Sequence, residues 1–113
     1  MQQHRLDAWL QTLAERMRQD TPALVAGLDA TGLHSGLHNA WQRARRFGIG
    51  QPGDVIDFFS AALQLSPRFD ETPAGIALLT DIAMPAWQRL YHVRTSAAAR
   101  ILDEAAALTG EPA

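Results

Sequence analysis

An all-α fold is predicted for this chain by three features of its sequence. Apolar residues recur at helical intervals, with Leu6, Trp9, Leu10, Leu13 and Met17 drawing one stripe along a helix face. Helix-start residues (Thr21-Pro22, Asp29, Asp54, Pro73, Pro85) and the stop signal Gly48 punctuate the chain at short spacing. Nowhere do β-branched and polar residues alternate over the length of a half-buried strand. The expectation is a compact single-domain bundle of about five to seven helices, several of them short, over residues 1–113.

Each element has a local reason. The first helix is predicted over Gln3–Gln19 from its apolar stripe. Thr21 as N-cap, with Pro22 at the first helical position, opens a short second helix that buries Leu24, Val25 and Leu28. Asp29 caps a third helix to about Phe47, with Leu33, Leu37, Trp41 and Ala44 inward. Gly48 is placed to close it in the left-handed conformation, and Gly32 and Gly36 weaken its first turns.

Beyond the 48–53 turn, Asp54 opens a fourth helix whose Val55, Phe58, Phe59, Ala62 and Leu63 form the most hydrophobic face of the chain. It must end before Pro67, which cannot continue a helix. Pro73 starts a short helix with Ile76, Leu78 and Leu79, residues 81–84 break it, and Pro85 starts another with Trp87, Leu90 and Tyr91. Thr95 or Ser96 caps a last, alanine-rich helix carrying Ile101, Leu102 and Leu108, and residues 110–113 are expected to fray. The stripes assign Trp9, Trp41, Trp87 and Tyr91 to the core.

Composition narrows the function classes. A chain of 113 residues and 12.4 kDa is the size of one domain. Its 47% apolar and 19% charged residues exclude a mostly disordered segment. All ten basic residues are arginine, set against twelve acids for a net charge of −2, which is not a nucleic-acid-binding balance. The distribution is uneven. Residues 1–50 carry six arginines and four acids, while residues 51–113 carry four and eight. With no cysteine, disulfides, thiolate metal sites and cysteine nucleophiles are excluded. The start of the chain lacks the apolar core of a secretory signal, and no stretch free of charged and strongly polar side chains is longer than Pro73–Leu79. A soluble, cytoplasmic protein without nucleic-acid or membrane partners is expected.

The motifs read more simply as structure than as chemistry. Gly48-Ile49-Gly50-Gln51-Pro52-Gly53 matches the glycine pattern of dinucleotide-binding loops, but it follows a helix where that fingerprint needs a strand. His34 and His38 could share a metal ion, yet two imidazoles do not complete a site, and position 35 is serine where a zinc-protease pattern needs glutamate. Asp54 with Asp57, and Asp70 with Glu71, stand at helix starts, where a carboxylate caps free N–H groups and complements the helix dipole. The serines lack a nucleophile elbow. No catalytic residue, metal or cofactor is therefore expected. Arg43, Arg45 and Arg46 cluster at a helix C-terminus, where cations are favoured, and such a patch could also receive an acidic partner surface.

Three segments in the middle of the chain carry a resemblance: Ala44-Arg45-Arg46-Phe47-Gly48-Ile49, then Asp54-Val55-Ile56-Asp57-Phe58-Phe59, then Ser66-Pro67-Arg68-Phe69-Asp70-Glu71-Thr72-Pro73. Over about residues 38–80 the pattern resembles small helical accessory proteins of bacterial type VI secretion effector clusters. The resemblance implies a non-enzymatic protein that binds an effector, or the adaptor chaperone that loads one. Gly32, Ser35 and Gly36 depart from the charged helix formers of that pattern, which bears on where the third helix begins. The interface expected for such a module is the arginine edge Arg43, Arg45 and Arg46 with exposed apolar residues at Phe47, Phe58 and Phe69. An alternative of another class is an immunity protein whose acidic second half covers the basic cleft of a toxin. That reading rests on Asp70, Glu71, Asp81, Asp103 and Glu104.

Overall fold

In the computed structural model, which describes residues 3–109, seven α-helices and two 3₁₀ turns follow one another, with no strand among the described residues. They are α1 (Gln3–Asp20), α2 (Pro22–Val25), α3 (Ala30–Ala44), α4 (Pro52–Gln64), α5 (Pro73–Leu79), α6 (Ala86–Arg94) and α7 (Ala98–Thr109). The 3₁₀ turns are Arg45–Phe47, which continues α3, and Phe69–Glu71, which precedes α5. The all-α expectation holds. The expected fraying of residues 110–113 lies outside the described residues. Contacts group the chain into two compact units, Met1–Phe59 and Ser60–Ala113, with the boundary inside α4.

The first unit is organised by α1 on α3. Leu6, Leu10, Leu13 and Met17 of α1 and Leu33 and Leu37 of α3 are buried, each side chain stabilising the fold by about 1.5–3 kcal/mol. Asp29 caps α3, its carboxylate accepting from the Gly32 amide at 2.7 Å. Gly36 has a packing reason: a Cβ there would lie 2.5 Å from Cζ of Phe59, so the missing side chain makes room for a ring of α4. At the far end the Ile49 amide donates to the Ala44 carbonyl and the Gly48 amide to the Arg45 carbonyl, both at 3.1 Å, while Gly48 takes φ 72°. This is a Schellman closure, completed by burial of Ile49. The glycine motif of residues 48–53 thus ends one helix and, through Pro52 at the first position, begins α4 two residues ahead of Asp54.

The second unit packs α5 against α6 and α7, with the 69–71 turn against α5 and α7. Its centre is the start of α5. The Thr72 hydroxyl accepts from the Gly75 amide at 3.0 Å and donates to the Phe69 carbonyl at 2.8 Å. Glu104 of α7 reaches the same helix end, accepting from the Ala74 amide at 2.8 Å. Gly75 is obligatory in this arrangement, because a Cβ would stand 2.0 Å from the Phe69 carbonyl oxygen.

Thr21 and Thr95, which read as helix starts, act instead as stops, and Thr80 does the same. The hydroxyls of Thr21, Thr80 and Thr95 donate to the carbonyls four residues back, those of Met17, Ile76 and Tyr91. Thr21 precedes α2 in position but makes no side-chain cap there. Thr95 and Ser96 likewise do not cap α7: Thr95 closes α6, and Ser96 contacts the His92 ring at 3.3 Å. A hydroxyl both donates and accepts, and at these positions the exposed carbonyl of the finished helix wins.

Candidate functional site

The arginine edge is assembled on the last turns of α3 and the 3₁₀ turn that follows. Spacings of three and four residues bring His38, Trp41 and Arg45 onto one face of the helix. The His38 and Trp41 rings stack with centroids 5.9 Å apart at 28°. The Arg45 guanidinium carbon lies 4.8 Å from the Trp41 centroid, within cation–π range. Trp41, Gln42, Arg45 and Arg46 line an open concavity of about 510 Å³. Among the described residues no carboxylate pairs with Arg45 or Arg46. Two exposed cations therefore border a half-buried indole, next to the negative end of a helix.

The remaining expected interface residues divide. Arg43 is half-buried and engaged within the fold. Phe47 is half-buried, its ring 6.5 Å from that of Phe58. Phe58 and Phe69, expected at an exposed apolar surface, are 1% and 0% exposed and belong to the cores of their units. They offer no surface to a partner, because the apolar faces that carry them close onto neighbouring helices. Trp41 and Gln42 were not assigned to the edge by the sequence, although the spacing of Trp41 from Arg45 carries the signal.

The second unit reverses another assignment. Trp87 and Tyr91, placed in the core by their stripe, are 60% and 54% exposed, and Ile76, Leu102 and Leu108 are also exposed. The buried face of α6 is Arg89, Leu90 and Val93. Arg89 is 8% exposed and donates to the carbonyls of Leu79 at 2.7 Å and Met84 at 3.0 Å, tying the end of α5 to the connection ahead of α6. Arg68 joins Glu71 at 2.7 Å and donates to the Leu108 carbonyl at 3.0 Å.

The acidic residues of this half are largely occupied. Asp70 is buried with a partner, Glu71 pairs with Arg68, and Glu104 caps α5 while meeting Arg100 at 3.3 Å. In the first unit His34 faces Asp7 at 3.4 Å while His38 stacks on Trp41, so the two imidazoles serve different neighbours. Among the described residues no three histidine or carboxylate side chains are grouped to hold a metal ion. No described helix is long and apolar enough to cross a membrane. Comparisons with family models, with curated proteins and with solved structures find no match to this chain.

Proposed function

We propose that this protein is a non-enzymatic interaction module whose arginine edge receives an acidic segment of a protein partner. The observation that carries the reading is the pair Arg45 and Arg46, exposed and without a carboxylate partner among the described residues, beside the Trp41 ring. Arginine presents a planar fork that matches a carboxylate in two hydrogen bonds. An indole held beneath it gives the same site an apolar floor, the combination that interface hot spots favour.

The finer role is that of an accessory or co-chaperone protein in type VI secretion, binding an effector or its adaptor chaperone. Its support is the sequence pattern of residues 38–80. Several residues of that pattern act as helix caps and core, with Gly48 and Ile49 closing α3 and Phe58, Phe69 and Thr72 buried. The cationic side chains Arg45 and Arg46 are the part left open to a partner. The toxin-inhibitor alternative has a smaller basis, since of its five carboxylates Asp70 is buried and Glu71 and Glu104 are engaged within the second unit.

The test is co-expression of the tagged chain with the products of its neighbouring genes, followed by affinity capture at low and high salt. The wild-type chain is expected to retain an acidic partner at low salt and release part of it at high salt. The Arg45→Glu/Arg46→Glu variant should lose the partner while keeping the helical circular dichroism of the parent. Equal recovery by both would remove this edge as the binding surface.

A further inference from the structure

The second unit exposes an apolar surface that the arginine edge does not use. Trp87 and Tyr91 stand four residues apart on α6, so they are neighbours on one side of that helix. Ile82, 88% exposed, precedes them in the connection from α5, and Ile76, 42% exposed, lies on α5, which packs against α6. From Ile82 to Gln88 no residue carries a charge, and the next, Arg89, is turned into the core. Exposed aromatics at this density mark a contact surface.

We infer that this surface joins two copies of the chain about a two-fold axis. Two observations select a second copy as the occupant. A two-fold contact sets a patch against itself, so any net charge in it would repel its own image, and the 82–88 segment has none. The area is also sufficient. Trp87, Tyr91, Ile82, Ile76 and the exposed Ala83 and Pro85 offer roughly 500 Å² per copy, which doubled reaches the ~1,000 Å² that a specific interface needs. The axis passes close to α6, where the Trp87 and Tyr91 rings of one copy meet those of the other.

Sedimentation of the full chain from about 1 μM to about 500 μM tests this, a range suited to interfaces of this size. The wild-type chain is expected to pass from monomer to dimer and stop there. Trp87→Ala should raise the concentration of half-dissociation more than tenfold. Trp87→Glu/Tyr91→Glu, and separately Ile82→Glu, should remain monomeric with unchanged helical circular dichroism, while Arg45→Glu/Arg46→Glu dimerises like the parent. A wild-type chain that stays monomeric throughout overturns the proposal, including one that instead binds vesicles of neutral phospholipid. So do aromatic variants that dimerise as the parent does, or oligomers that keep growing with concentration.

Discussion

Two arginines of the first unit and two of the second do opposite work. In the first, Arg45 and Arg46 point outward beside Trp41 with no carboxylate partner among the described residues. In the second, Arg89 is buried against two backbone carbonyls and Arg68 fastens the 69–71 turn to the end of α7. What separates them is the position of the nearest unsatisfied carbonyl. Arg89 and Arg68 each reach the end of another helix, whereas the carbonyls behind Arg45 are already taken by the amides of the Gly48–Ile49 closure. A guanidinium next to a finished helix end stays available to a partner; one next to an open end becomes a latch.

Substitutions can sharpen or break that contrast, and urea denaturation followed by circular dichroism reads most of them. The largest effect is expected at Gly75→Ala, because its Cβ meets the rigid Phe69 carbonyl and must displace the start of α5, costing about 3 kcal/mol or more. A loss below about 1 kcal/mol there would mean that the 69–75 segment yields, and that the second unit is held less tightly than its caps indicate. Arg89→Met comes next. It fills the volume but strands the Leu79 and Met84 carbonyls, for a cost of about 2–3 kcal/mol.

Arg68→Ala should cost about 1 kcal/mol, since its side chain is partly exposed and its pair with Glu71 is screened. Arg45→Glu/Arg46→Glu is expected to cost about 1 kcal/mol, from two cations lost at the negative end of a helix and the Arg45–Trp41 contact, while abolishing partner capture. If that variant destabilised the fold as much as Arg89→Met, the two classes of arginine would collapse into one. The edge would then be a structural element and no docking surface.

Much of the fold was legible because its signals are local. Asp29, Gly48, Pro52 and Pro73 act through amides and carbonyls within a few residues, and a helix stripe is a property of one helix. The threonines show the limit of that reading. A Thr between two helices can serve either, and Thr21 and Thr95 went to the helix behind them, while Thr72 capped the one ahead. Gly36 was equally ambiguous, a weak point of α3 when read alone and a seat for Phe59 once α4 is present.

The sequence by itself determined the all-α class, the succession of helices and most of the places where they start and stop, since each depends on hydrogen bonds closed over three to five residues. Only the tertiary structure decided which apolar and cationic side chains face inward. Trp87 and Phe58 both sit on apolar stripes, yet one is exposed and the other sealed. Arg46 and Arg89 are the same residue with opposite fates. A stripe states that a face is apolar; whether its edge is covered depends on the helix that packs beside it, which lies far away in the chain.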